Sequence, residues 1–159
     1  MRPAAPEAHQ SAELPPPAMK LFSLILFFVG LAFASCNVVQ FGIMIQHMTG
    51  KFPLSYNGYG CYCGLKGSKQ PKDATDWCCH AHDCCYKRVS SSHCNPKTVA
   101  YKYSAQRGQI TCGAGNSCQT ATCACDKKAA ECFRRTLQSY NNAYRNYPNF
   151  LCKGRTPSC

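Results

Sequence analysis

Two adjacent cysteine pairs, Cys78-Cys79 and Cys84-Cys85, fall within the stretch Asp76 to Tyr86, which reads D-W-C-C-H-A-H-D-C-C-Y. The stretch contains no Gly or Pro, so a helix is permitted throughout. On a helix Cys78, His82, Cys85 and Val89 step by 4, 3 and 4 and share one face. Neighbours within each pair point about 100° apart, so each pair ties the helix to two different elements. A helix fastened this firmly is a structural spine or a rigid mount for His82, a candidate proton acceptor, and Asp83, a hard oxygen ligand.

The chain has 159 residues. Lys20 precedes an apolar run from Leu21 to Ala34, followed by Ser35 and Cys36, which reads as a secretory signal peptide over 19–36. Residues 1–18, rich in Pro and Ala, read as an upstream extension. Residues 37–159 then form one domain holding 14 of the 15 cysteines, an even number sufficient for seven disulfides. Such density in a secreted chain indicates a disulfide scaffold, and adjacent C-C pairs lack the C-x-x-C spacing of zinc sites. This segment keeps 16 Lys and Arg against five Asp and Glu, a net charge of +11. Anionic membrane surfaces and sulfated, heparan-type glycans are the partners such a charge implies. No nucleic-acid-binding motif accompanies it, so nucleic acid is not expected, and the chain is expected to be a monomer.

Val38, Phe41, Ile45 and Met48 step by 3, 4 and 3, which predicts an amphipathic helix over 37–49 stopped at Gly50. Its nearly uncharged sides suit either docking on a core or lining an apolar site. Tyr56 to Gly67 holds four glycines in twelve residues, a loop that lets carbonyls converge as hard cations require. Asp73 to Asp76 offers a helix cap. Tyr101 to Thr111 predicts a small hairpin turning at Arg107-Gly108, held by Cys94, Cys112 and Cys118. From Ala121, the spacing of Cys125, Ala129, Cys132, Leu137, Tyr140 and Tyr144 predicts a second long helix ended by Pro148. The fold expected is mainly α and disulfide-rich: two long disulfide-linked helices, an N-terminal helix, a metal-suited loop and a small β-wing.

Asp126 follows Cys125 directly. If Cys85 or Cys78 bridges to the second long helix, Asp126 comes within reach of the His82 ring. A carboxylate orienting one ring nitrogen leaves the other free as a general base for water. From spacing alone the structural alternative, a satisfied histidine on a helix face, is the commoner case. His80 is expected at the surface, and Tyr86 either joins the His82 network or fills the core.

These motifs together resemble secreted phospholipase A2. The carriers are Y-G-C-Y-C-G at Tyr59 to Gly64, the D-W-C-C-H-A-H-D-C-C-Y stretch, and C-A-C-D at Cys123 to Asp126. The tail ending at Cys159 is similar to group II members of IIA or IIE character. The resemblance covers 37–159 and implies the phospholipase A2 fold, with its long helices antiparallel and a calcium-binding loop. It implies calcium-dependent hydrolysis of the sn-2 ester of glycerophospholipids at membrane surfaces. His82 corresponds to the general base, Asp126 to its orienting carboxylate, and Tyr86 and Tyr101 to the tyrosines bonded to that carboxylate. Asp83 and the carbonyls at Tyr62, Gly64 and Lys66 correspond to the calcium ligands. Val38, Phe41, Gly42 and Ile45 fall where the family lines its acyl channel, and Lys97 where group II enzymes contact phosphate. The resemblance also implies the pairs Cys61–Cys152, Cys63–Cys79, Cys78–Cys132, Cys84–Cys159, Cys85–Cys125, Cys94–Cys118 and Cys112–Cys123.

One position departs from the family's G-x-G-G: Gly64-Leu65-Lys66-Gly67 places lysine at the middle glycine. Its carbonyl remains available, but a left-handed backbone there would cost a non-glycine residue about 1 kcal/mol or more. Weakened calcium affinity is therefore expected. The rival reading is a catalytically weak cationic protein on the same fold that binds membranes or heparan-type glycans.

Overall fold

The computed structural model describes residues 36–65 and 67–159. The expected leader segments up to Ser35, and Lys66, lie outside the described residues. Among the described residues three helices and one hairpin carry the architecture: α1 (Cys36–Thr49), α2 (Ala74–Val89), β1 (Tyr103–Gln106), β2 (Gln109–Cys112) and α3 (Ser117–Arg135).

Each helix begins and ends where its sequence stops supporting the backbone. In α1, Met44 and Ile45 are buried, and Gly50 closes the last turn at φ +68°, its N–H donating to the Gln46 carbonyl. The α2 cap is Asp73, whose carboxylate accepts from the Asp76 N–H at 2.9 Å. The α3 start is a capping box: Asn116 accepts from the Gln119 N–H, and the Gln119 side chain accepts from the Asn116 N–H. This places Asp126 in the middle of α3, four residues deeper than a start at Ala121 implied.

The far end of α3 corrects the sequence expectation. The helix stops at Arg135 and short 3₁₀ turns follow at Leu137–Ser139 and Asn142–Tyr144. Ser139, Asn141 and Asn142 offer local side-chain bonds that compete with helix, and Asn141 accepts from the Ala143 N–H at 2.9 Å. Tyr140 and Tyr144 leave the helical stripe and pack instead on the Tyr59 ring, with centroids 4.7 and 6.0 Å away.

Disulfides fix how these parts meet. Cys78–Cys132 joins the start of α2 to the end of α3, and Cys85–Cys125 joins the end of α2 to the middle of α3. The two helices are therefore antiparallel. Cys112–Cys123 and an Arg134 bond to the Gly108 carbonyl (2.7 Å) hold the hairpin on α3. That hairpin pairs Tyr103 with Cys112 and turns through Arg107 and Gly108, both at positive φ. Cys94–Cys118 secures the loop after α2, while Cys61–Cys152, Cys63–Cys79 and Cys84–Cys159 hold the glycine-rich loop and the C-terminal tail.

The glycine-rich loop is anchored by a fully buried carboxylate. Asp76 accepts from the backbone N–H groups of Cys61 (2.7 Å), Tyr62 (2.8 Å) and Lys72 (2.8 Å). A side chain at Gly60, whose φ is +59°, would collide with that carboxylate, so only glycine permits the approach. Asp76→Ala would leave three N–H groups without their acceptor, each costing about 1–3 kcal/mol if no water reaches it. A loss of about 3 kcal/mol or more is expected, read from the denaturant midpoint; an unchanged midpoint would show that the loop does not depend on this anchor.

Candidate active site

The α2–α3 disulfides bring His82 of α2 against Asp126 of α3. His82 Nε2 lies 2.7 Å from Asp126 Oδ1, and the side chains are 13% and 0% exposed. Because a carboxylate only accepts, Nε2 carries the proton and Nδ1 keeps its lone pair. The ring is clamped between Phe41 of α1, stacked at 4.5 Å, and Tyr86, tilted at 4.3 Å. It is thus held in orientation yet partly open to solvent.

Three further groups converge on Asp126. The Tyr86 hydroxyl lies 2.7 Å from Oδ1, the Tyr101 hydroxyl donates to Oδ2 at 2.5 Å, and Asn37 Nδ2 donates to Oδ2 at 3.3 Å. The Tyr86 hydroxyl also sits 2.9 Å from Asn37 Oδ1, so one proton is shared between two acceptors. Burial first, and the Asp126 charge second, push both phenols far above their ordinary range, so they stay protonated as donors. Asn37, 2% exposed, is a member that sequence reasoning did not select. No motif marks it; the position of α1 across the helix pair brings it in.

Asp83 lies one residue beyond His82 and turns to another side of α2. Among the described residues its carboxylate has no hydrogen bond and no ion pair. Desolvation pushes its pKa up, opposed by the positive charge available at His82, His80 and Lys97. Lys97 itself is an exposed side chain. In the neighbouring loop, the carbonyls of Tyr62 and Gly64 accept no hydrogen bond among the described residues. Gly64 stands at φ +128°, and a Cβ there would press on Asn57 Oδ1 at 3.0 Å. A carboxylate and loop carbonyls that have no partner among the described residues are hard oxygen donors, the chemistry that suits a cation of the calcium type.

The apolar residues divide by depth. Ile45 is buried, Phe41 and Gly42 are half-buried, and Val38 is 61% exposed. With Val39, Ile43, Phe52, Leu54 and Leu65 also exposed, α1 and its neighbouring loops carry a wide apolar surface. His80 is a correction: expected at the surface, it is buried between Tyr62, Trp77 and the C-terminal tail. Among the described residues, no helix is long and apolar enough to cross a membrane.

Comparison with known proteins identifies the family. Residues 38–145 match the family model described as phospholipase A2. The chain is 53% identical over 136 residues to group IIE secretory phospholipase A2 of Homo sapiens, covering 86% of this chain and 96% of that protein. Its identity to the Mus musculus protein of the same name is 56% over 126 residues, with 79% and 89% covered. A Mus musculus protein named phospholipase A2, membrane associated, is 57% identical over 125 residues, with 77% and 86% covered. The chain belongs to the phospholipase A2 family, on its group II secreted branch.

Proposed function

We propose that this protein is a secreted, calcium-dependent phospholipase A2 that hydrolyses the sn-2 ester of glycerophospholipids at membrane surfaces. The observation that carries the reading is the His82–Asp126 contact at 2.7 Å with Nδ1 left free, beside an unpaired Asp83. Residues 37–159 are the catalytic domain, released from a signal peptide at 19–36 that follows an upstream extension at 1–18. The secretory names of the relatives support that export.

In the reaction, His82 Nδ1 takes a proton from water as the water oxygen adds to the ester carbonyl carbon. Asp126 holds the imidazole ring in place and stabilises its protonated form, and Tyr86, Tyr101 and Asn37 hold Asp126. When the bond from carbon to the glycerol oxygen breaks, His82 returns the proton to that oxygen. The products are a free fatty acid and a lysophospholipid. Asp83 and the carbonyls of Tyr62, Gly64 and Lys66 would hold calcium, which when bound supplies positive charge to the ester oxygen as negative charge develops there. The Gly64 N–H donates to the same oxygen. Val38, Phe41, Gly42 and Ile45 receive the acyl chain, and Lys97 meets the phosphate. The +11 charge and the apolar surface favour anionic membranes, with heparan-type glycans as further anionic partners.

Fatty-acid release from anionic phospholipid vesicles, titrated with calcium, tests the reading. Hydrolysis that rises with calcium and stops with chelator is the expected result. Vesicle binding without release at millimolar calcium would overturn it. Lys66→Gly is expected to lower the calcium midpoint about fivefold, the equivalent of about 1 kcal/mol of backbone strain. Equal midpoints for the two proteins would remove Lys66 as a determinant of affinity.

A further inference from the structure

His80 lies three residues before Asp83 on α2, only 8% exposed, and no step of the reaction uses it. Its ring meets the Tyr62 ring edge to face at 4.9 Å. Its Nε2 is 3.3 Å from the Pro157 carbonyl, which can only accept, so Nε2–H donates to the C-terminal tail. Together with the Cys84 and Cys159 sulfurs it forms a cluster whose ligand-type atoms lie within 4.8 Å of one another. That cluster resembles a metal site, but its two sulfurs are bonded to each other. It is a latch.

The tail held by this latch runs back over the loop. The Lys69 N–H donates to Thr156 Oγ1 at 3.0 Å, and the Gln70 N–H donates to the Lys153 carbonyl at 3.1 Å. The Tyr62 hydroxyl is buried near Thr156, without a hydrogen bond of good geometry. Tyr62 is therefore gripped at two points: its N–H by Asp76, and its ring by His80 and the tail. Its carbonyl extends from the Cα that those two grips hold, and the Cys63 N–H of the same peptide unit donates to the Tyr59 carbonyl at 3.2 Å, so the group has little freedom to turn.

We propose that His80 is a positioning residue through which the C-terminal tail holds the Tyr62 carbonyl in its ligating orientation. The proposal rests on the calcium reading given above. A loop with glycine at 58, 60, 64 and 67 loses much backbone entropy on ordering, and an external strap lowers that cost. Chemistry at His82 is insulated from the strap, because Cys78–Cys132, Cys85–Cys125 and the Asp126 network hold it separately. Loosening the strap then weakens calcium affinity and leaves turnover at saturating calcium intact.

The test is a calcium titration of vesicle hydrolysis by the secreted protein and three variants. His80→Leu keeps the bulk and loses the donor; a lost hydrogen bond shifts the calcium midpoint upward about two- to tenfold. Maximal turnover at saturating calcium is expected to stay within about twofold of wild type, a split that general destabilisation does not produce. His80→Gln, whose amide can donate to the Pro157 carbonyl, is expected to recover most of the midpoint. The double variant Cys84→Ser/Cys159→Ser opens the latch with His80 intact and raises the midpoint in the same way, which serves where His80→Leu does not fold. A folded His80→Leu with the wild-type midpoint overturns the proposal, as does a fall in turnover with the midpoint unmoved. Absence of any calcium response in wild type would instead defeat the calcium reading. Hydrogen exchange at the amides of residues 61–65 then decides the strap: faster exchange in His80→Leu supports it, and equal exchange overturns it.

Discussion

His82→Gln is expected to lower fatty-acid release by about 10²–10⁴-fold while binding to anionic vesicles stays at the wild-type level. The glutamine amide can still donate toward Asp126 Oδ1, now 2.7 Å from the ring nitrogen, so the buried carboxylate keeps a partner. What is lost is the lone pair on Nδ1, for which a carboxamide offers no base of comparable strength. On the proposed reading vesicle binding rests on other features, namely the +11 charge and the exposed Val38, Val39, Ile43 and Leu65. The experiment therefore separates the enzyme from the cationic binder that shares its fold. Membrane effects that all survive the substitution would favour the binder, and retained hydrolysis would place the base elsewhere.

Much of this arrangement is legible in the sequence because local rules and long-range constraints coincide there. Asp73 caps α2 as its type predicts, Gly50 ends α1, and Arg107-Gly108 turns the hairpin. The adjacent cysteine pairs reach different elements, as 100° spacing requires. The parts that were not legible are set by tertiary competition. Helical spacing through Tyr140 and Tyr144 is real, yet those rings pack on Tyr56 and Tyr59 after the backbone has left the helix. The α3 start was available as Asn116 and Gln119, a capping box that lies before the apolar stripe begins. His80 looked polar and peripheral on a helical wheel, because nothing local reveals that the tail returns to cover it. Asn37 carries no motif, and Asp76, though it opens the D-W-C-C-H-A-H-D-C-C-Y stretch, shows no local sign of its anchoring role; both roles arise from which backbone or carboxylate lies opposite. Site geometry that depends on a single helix was readable. Geometry made by three segments meeting was not.

Asp83→Asn is expected to abolish the calcium response and with it at least about 10²-fold in hydrolysis, the scale of removing transition-state charge stabilisation. The substitution keeps shape and one oxygen but deletes the charge. The loop supplies carbonyl dipoles, so Asp83 is the one full negative charge in the proposed donor set, and a carboxamide of the same size cannot replace it. The fold should not suffer. Desolvation already disfavours the ionised form of Asp83, and among the described residues no hydrogen bond or ion pair depends on it. Without calcium the variant should therefore melt at or above the wild-type temperature. With calcium, wild type should gain thermal stability because the ion binds the native state, and Asp83→Asn should gain none. His82→Gln should keep that thermal shift while losing turnover, so the two variants divide ion binding from proton transfer. An Asp83→Asn protein with a wild-type calcium midpoint would remove Asp83 from the ligand set and leave its unpaired carboxylate without a function.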